Sequence, residues 1–171
     1  TQSRSSAASD VYKRQRKFMW DAQNVKMPTT TSMAMSLYPK EGNPLWGMYS
    51  TKVVAHTLRE YSKYTIDYPY PVAYSIHSKW IGMEYPMICF NGGRPEADGT
   101  YSARTKAGML GVIIHEVGHN FFPMIINSDE RQWTWMDEGL NTFVQYLTEQ
   151  TWEPDYPSRR GPANKIVDYM K

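Results

Sequence analysis

The sequence is poor in three features that would assign it to a special class of protein. Its single cysteine, Cys89, excludes an internal disulfide. No stretch approaches the roughly 18 consecutive apolar residues that a membrane-spanning helix needs. The charge is nearly balanced, with 19 basic and 17 acidic residues, so nothing in it calls for a nucleic acid or an anionic membrane as partner. The sequence is rich instead in hydrophobic residues (41%) and aromatic residues (14%), which are enough for a folded core.

The first fifteen residues, TQSRSSAASDVYKRQ, are small and polar and show no hydrophobic period. The segment SSAASDVYKRQ looks like the in-frame translation of a sequencing-library adapter. We therefore exclude residues 1–15 from the fold and expect them to be disordered. Three of the basic residues and one of the acidic residues lie there, so the remaining chain is neutral. We expect residues 16–171 to be one partial domain, an internal piece of a longer protein.

Hydrophobic periodicity predicts a mixture of strands and helices. We expect short strands at 16–23, 72–77 and 87–91, with strand and loop over 27–44. Helices are expected at 45–64, 103–122 and about 137–149, which makes an α+β domain. The predicted core-facing residues of the first helix are Met48, Val53, Leu58 and Tyr61, and those of the last are Leu140, Phe143, Val144 and Leu147.

The stretch VIIHEVGHNFF, residues 112–122, places two histidines and a glutamate inside an apolar run. If this stretch is a helix, its residues fall on two opposite faces. The apolar face consists of Leu110, Ile113, Ile114, Val117 and Phe121, and the opposite face of Val112, His115, Glu116 and His119. Burying the polar groups without partners would cost several kcal/mol, on the order of 2–7, so they are either exposed or bound. His115 and His119 lie one turn apart and can reach one tetrahedral metal ion. Glu116 beside them suits a base that acts on a metal-bound water.

A third ligand distinguishes a metal site from an ordinary helix with surface His and Glu. Glu138 follows His119 by the eighteen residues of an HExxH-x18-E pattern, a length that fits a helix, a loop and an antiparallel return helix. The alternative for Glu138 is a first-turn glutamate favoured by the helix dipole. His56 and His77 are rival ligands, but neither has ligand spacing to the pair, and we interpret both as structural or surface residues.

The pair HEVGHN…WMDEGLNTFVQYL resembles the gluzincin aminopeptidases, the aminopeptidase N family. Upstream, IGMEYP at 81–86 resembles the GxMEN exopeptidase motif of that family, with Met83 and Glu84 in register. Ile81 and Tyr85 stand where the motif has Gly and Asn, and the glycine is instead Gly82. The resemblance extends over residues 16–171, and the zinc signature is its most specific part.

The resemblance implies a partial thermolysin-like zinc metallopeptidase catalytic domain that holds one Zn²⁺ ion through His115, His119 and Glu138. It implies that Glu116 activates the zinc-bound water and passes its proton to the leaving amine. Glu84, with Gly82 and Met83, would bind the free α-amino group of a peptide and limit cleavage to the first residue. The resemblance also favours an extracytoplasmic or cell-associated bacterial enzyme.

One expected part of such an enzyme is absent from the chain. The family places an oxyanion-stabilising tyrosine well downstream of the third ligand, and Tyr146, Tyr156 and Tyr169 are too close to Glu138. We therefore expect the chain by itself to be inactive or weakly active. Two alternatives stay open: a zinc endopeptidase in which Glu84 binds no amine, and a non-catalytic, zinc-stabilised binding domain. A glutamate at 116 and the lack of a fourth ligand by spacing favour a catalytic site over a non-catalytic, zinc-stabilised binding domain.

Overall fold

The fold is taken from a computed structural model, which describes residues 17–79, 82–159 and 161. The adapter-like segment 1–15, Ile81 of the GxMEN-like motif, Tyr169 and the C-terminal IVDYMK lie outside the described residues.

Five strands form one mixed sheet in the order β1-β2-β3-β5-β4. β1 and β2 form an antiparallel hairpin, β3 runs parallel to both β2 and β5, and β4 is an antiparallel edge strand on β5. β3 and β5 agree with the expected strands, whereas the three-residue β4 is too short to give a periodic signal. The bounds are β1 Phe18–Lys26, β2 Thr31–Pro39, β3 Val72–His77, β4 Met83–Tyr85 and β5 Ile88–Asn91.

Three helices pack with the sheet around one apolar core: α1 Leu45–Tyr64, α2 Ala103–Gly118 and α3 Leu140–Trp152. α1 has the expected bounds, and three of its four expected core residues are fully buried, but Met48 is 46% exposed. Within the part of the chain that the structure describes, no helix combines the length and apolar content that a membrane crossing needs.

α2 carries the HEVGH stretch, and its apolar face is confirmed: all five expected core residues are buried. Ser102 caps the helix, since its hydroxyl accepts a hydrogen bond from the amide of Thr105 at 3.0 Å. The helix ends at Gly118, four residues before the expected end. The chain turns there, with the Phe121 amide donating to the carbonyl of Gly118 at 2.8 Å and the Asn120 side chain donating back to the carbonyl of Val117.

The expected core face of α3 is wrong. Val144 is buried, but Phe143 is 62% exposed and Leu140 is 37% exposed. The side of α3 that packs against the rest of the domain is mostly polar; its buried members are Asn141, Val144, Gln145, Thr148 and Glu149. Asn141 and Gln145 are buried because they have partners on α1 and α2, so the pattern of apolar residues alone points to the wrong face.

Gly118 allows the three helices to meet at one point. The Tyr61 hydroxyl of α1 donates to the Asn141 side-chain oxygen of α3 at 2.8 Å, and a Cβ on Gly118 would overlap both groups. We expect Gly118→Ala to lower the free energy of unfolding by about 1–3 kcal/mol, because the buried pair has no room to move. Urea denaturation measures the change.

Gly108 provides the control for that substitution. It also lies inside α2, but nothing stands within 4 Å of an added Cβ, so Gly108→Ala is expected to raise stability by about 0.5–1 kcal/mol through helix propensity. A Gly118→Ala protein as stable as the wild type would show that the close packing at this point is not tight.

Candidate metal centre and substrate cleft

The two histidines of HEVGH point their outer ring nitrogens at each other. The Nε2 atoms of His115 and His119 lie 3.1 Å apart, and the two rings stand edge to face. His119 is 1% exposed, and His115 is half-buried. Their protonation states therefore decide what can occupy the space between them.

The inner nitrogen of each ring faces an acceptor. His115 Nδ1 lies 2.9 Å from Gln145 Oε1, and the orientation of that amide is fixed because its nitrogen donates to Gly111 O and Glu149 Oε1. His119 Nδ1 donates to Phe122 O at 2.9 Å. Both Nδ1 atoms thus carry the proton, and in neutral imidazoles both Nε2 lone pairs face the same point.

A carboxylate completes the group. Glu138 Oε2 lies 3.2 Å from His115 Nε2, and the other oxygen lies 3.9 Å from His119 Nε2. Three donors on one tetrahedral zinc ion stand roughly 3.4 Å apart, so this donor set fits zinc in chemistry and in spacing. Two facing lone pairs and a carboxylate repel one another unless a cation lies between them, and this is the strongest structural sign of a metal centre.

Asp137 supports the second histidine. Its Oδ1 lies 2.8 Å from His119 Nδ1. Burial is the main cause that raises the pKa of the Asp137 carboxyl, and the interaction with His119 works against that effect. The Nδ1 proton is donated to Phe122 O, and Asp137 Oδ1 accepts no hydrogen bond from the described residues, so this carboxylate acts on the ring through its charge. It comes from the single π-helical turn at Trp135–Gly139 that precedes α3 and also holds Glu138.

Glu116 lies beside the ligands and is 6% exposed. Its Oε2 makes no hydrogen bond to any residue that the structure describes. Burial, followed by the charge and hydrogen bond of Glu84, raises the pKa of Glu116 to about 8. A buried carboxylate with an unused oxygen, next to a second carboxylate, is suited to exchange a proton or to face a cation.

The GxMEN-like segment lies against this helix. Glu84 is on β4, half-buried, and its carboxyl approaches Glu116. Gly82 packs so close that any Cβ there would overlap the Glu116 carboxylate and Val112, which explains a glycine at this position. Met83 is half-buried on the same strand. The structure therefore brings Gly82, Met83 and Glu84 to the side of the metal centre.

Asn120, the residue that follows HEVGH, fixes the position of β4. Its side-chain oxygen accepts from the amide of Met87 at 2.7 Å, within the turn that joins β4 to β5. Met87 has a φ of 65°, a left-handed conformation that this hydrogen bond helps to hold. One residue thus couples the position of the Glu84 strand to the end of the metal-binding helix.

The other histidines and tyrosines lie away from the centre. His56 Nε2 lies 3.0 Å from the carbonyl of Thr148 and joins α1 to α3, and His77 accepts from Arg94 Nε. Tyr156 is buried, and its hydroxyl donates to Ala107 O, two turns of α2 before His115. In the described residues, His56 and His77 therefore have structural partners, and the Tyr156 hydroxyl is not next to the ligands.

A cleft of about 760 Å³ extends from His115 and Glu116 along α2. Gly82, Gln145, Glu149 and Tyr156 also line it. A volume of this size can hold a small ligand or several residues of an extended peptide. One candidate ligand, His115, and the candidate base, Glu116, thus open onto a substrate-sized space.

Comparison with solved structures identifies the fold. An M1 zinc metallopeptidase from Deinococcus radiodurans superposes with a TM-score of 0.59 at 19% identity, over 80% of this chain and 29% of the other. A mutant of that protein bound to a Tyr-Ser-Ala substrate superposes with a TM-score of 0.55 at 16% identity, over 81% of this chain and 30% of the other. The chain has the fold of an M1 zinc metallopeptidase.

The sequence comparison agrees with this M1 fold. Aminopeptidase M1-A from Oryza sativa subsp. japonica is 22% identical over 134 residues, which are 75% of this chain and 15% of that protein. No family model matches the chain. The resemblance to the aminopeptidase N family and the partial α+β catalytic domain are confirmed. The chain spans less than a third of each of these relatives.

Three residues around the candidate metal centre were not predicted from the sequence: Asn120, Asp137 and Gln145. Asn120 and Asp137 are each adjacent to a candidate ligand in the sequence. Gln145 follows Glu138 by seven residues, which places it two turns further on the same helical face. That spacing was a usable signal for Gln145. Asn120 and Asp137 act through the hairpin turn and the π-helical turn, which carry no periodic pattern.

Proposed function

We propose that this chain carries the catalytic centre of a zinc aminopeptidase, which hydrolyses the N-terminal peptide bond of peptides. The observation that carries the proposal is the pair of facing Nε2 atoms 3.1 Å apart beside Glu138, with Glu116 lining the adjoining cleft and Glu84 close to Glu116. The M1 fold and the curated aminopeptidase relative support it. Because the chain spans 15% of that relative, the activity is assigned to the product of the complete gene.

His115, His119 and Glu138 would hold the zinc ion. Zinc supplies a Lewis acid that polarises the scissile carbonyl and lowers the pKa of water. Gln145 and the Phe122 carbonyl hold the two histidines in the tautomer that exposes Nε2. The side chain of Glu138 is 50% exposed, so this ligand would lie on the solvent side of the centre.

Glu116 would move the proton. Its carboxylate lines the cleft beside His115, and its Oε2 has no hydrogen-bond partner among the described residues. It would accept the proton of the attacking water and release it to the nitrogen of the departing amine. The step needs a carboxylate that is close to the ligands but does not bind the metal, which is the place that Glu116 occupies on α2.

Glu84 would select substrates with a free N-terminus. Two neighbouring carboxylates, Glu84 and Glu116, repel each other in a half-buried site, and a substrate ammonium relieves this repulsion. An N-acetylated peptide has no charge at that point and gains no such stabilisation. Cleavage would therefore be confined to the first peptide bond.

The test compares one peptide with a free N-terminus and the same peptide N-acetylated, with and without a chelator. We expect chelator-sensitive cleavage of the free form only. Glu84→Gln should lower kcat/KM for the free peptide by about 10- to 150-fold, the value of a hydrogen bond to a charged group. Glu96→Gln, an exposed carboxylate in the loop before α2, is the matched control.

The outcomes separate the two alternatives from the proposal. Equal cleavage of both peptides would make the protein an endopeptidase and remove the role of Glu84. Zinc binding without any hydrolysis by the product of the complete gene would make this a zinc-stabilised binding domain.

A further inference from the structure

The cleft continues well beyond the metal centre along one face of α2. Small residues of α2 line it, namely Ala103, Ala107, Gly108 and Gly111. Nothing stands within 4 Å of a Cβ added at Gly108, so a ligand can approach the helix backbone closely there. The helix rises about 16 Å over the eleven residues from His115 back to Arg104. An extended peptide covers that distance with about five residues.

The two ends of this cleft carry opposite charge. At the metal end the carboxylate of Glu116 lines the cleft, and Glu84 lies close to it. A second hollow of about 480 Å³ lies beside the first and shares Gly82 and Val112 with it. Arg104, toward the beginning of α2, and Arg159 line both hollows. Lys79 lines the second hollow as well. A zwitterionic peptide, with its ammonium at one end and its carboxylate at the other, matches this polarity.

The two arginines are available to a ligand. Both are exposed, and neither forms a salt bridge with any residue in the described ranges. The nearest acidic lining group is Glu149, which is 3% exposed and accepts a hydrogen bond from Gln145 Nε2 at 2.8 Å. Its side chain is turned toward the protein interior, so the solvent-facing charge at this end is positive.

The direction of the substrate follows from the proposed function, on which this inference rests. If Glu84 holds the α-amino group and the scissile bond lies at the metal, the leaving part of the peptide must continue along the cleft. Gly82 lines both hollows and so connects the amine end to the basic end. The part of the substrate that reaches Arg104 is then the fourth or fifth residue.

We propose that Arg104, together with Arg159, binds a carboxylate on the leaving side of the substrate and so favours short peptides of about four to five residues. Guanidinium groups suit this role because they bind carboxylates through paired N–H donors. The carboxylate can be the free C-terminus or an acidic side chain near it.

The test measures peptide affinity by calorimetry, on the zinc-loaded product of the complete gene with the Glu116→Gln change to prevent turnover. The probes are Leu-Ala-Ala-Ala as the free acid, its C-terminal amide, and the amide of Leu-Ala-Ala-Glu. We expect the free acid to bind at least about fivefold more tightly than the Ala amide. Arg104→Gln should abolish that difference, whereas Arg59→Gln, an exposed arginine on α1, should leave it unchanged.

Each result has one meaning. Recovery of tight binding by the Glu-containing amide, lost in Arg104→Gln, would assign the site to acidic side chains as well as to C-termini. Equal affinity for acid and amide, with the free N-terminus still required, would overturn this inference and leave the aminopeptidase proposal standing. If no peptide with a free N-terminus binds, both proposals fail.

Discussion

Glu116→Gln is expected to keep the zinc and to lose turnover by about 10²- to 10⁴-fold, the usual contribution of a positioned general base. The amide has the size of the carboxyl group and still fits against Gly82, where no additional atom is tolerated. It cannot accept the proton of water. The loss should fall on kcat, because Glu84 continues to bind the ammonium of the substrate.

The measurement pairs steady-state kinetics on a free-amine substrate with zinc analysis of the same sample. Glu96→Gln controls for the loss of one carboxylate elsewhere in the chain. Turnover within a few-fold of the wild type would remove Glu116 from proton transfer. Loss of zinc together with turnover would instead make Glu116 a ligand, an arrangement that the neighbouring group of Glu84, Glu116 and His119 allows by distance.

Hydrophobic periodicity predicted the helices in which apolar residues face the core and polar residues face the solvent. α1 has the expected bounds, and all five residues of the apolar face of α2 are buried. In both helices the buried side is mostly apolar, so a 3.6-residue period locates it, although α1 also buries Ser50, Thr51, Thr57 and Glu60.

The apolar period of α3 does not mark its buried side, because residues of the candidate site lie there. Its inner side carries Asn141 and Gln145, which bind Tyr61 and His115, while Phe143 faces outward. A functional site demands polar groups in the interior, and the apolar period then marks the wrong face. The spacing from His119 predicts Glu138, and the seven-residue spacing from Glu138 is also a signal for Gln145, but no periodic pattern indicates Asn120 or Asp137.

The short β4 and the π-helical turn lie beyond any periodic signal for a different reason. Three residues cannot show a period of two, and Met83–Tyr85 is a strand only because β5 pairs with it. The turn at Trp135–Gly139 places Asp137 and Glu138 side by side at the two histidines. Tertiary contacts around the candidate centre determine the geometry of both elements. The sequence therefore indicates Glu84 and Glu138 as site residues but does not predict the strand and the turn that position them.

Zinc is expected to raise the melting temperature of the 171-residue chain by about 8–16 °C when its concentration is a thousand times the dissociation constant. Binding to the folded state alone contributes about 4 kcal/mol at that ratio, and each kcal/mol moves the midpoint by about 2–4 °C in a domain of this size. The physical source is the repulsion between the facing Nε2 atoms and Glu138, which a cation converts into attraction.

His119→Ala should abolish both the bound zinc and the shift, because it removes one donor and leaves Asp137 without its partner at 2.8 Å. His56→Ala is the matched control: it removes a histidine that bonds to Thr148 O between α1 and α3, so it should lower the starting melting temperature yet keep the zinc-induced rise. Differential scanning calorimetry and metal analysis on zinc-free and zinc-loaded samples distinguish the two. Undiminished zinc in His119→Ala would overturn the ligand set, and loss of the shift in His56→Ala would mean that the metal depends on helix packing rather than on these donors.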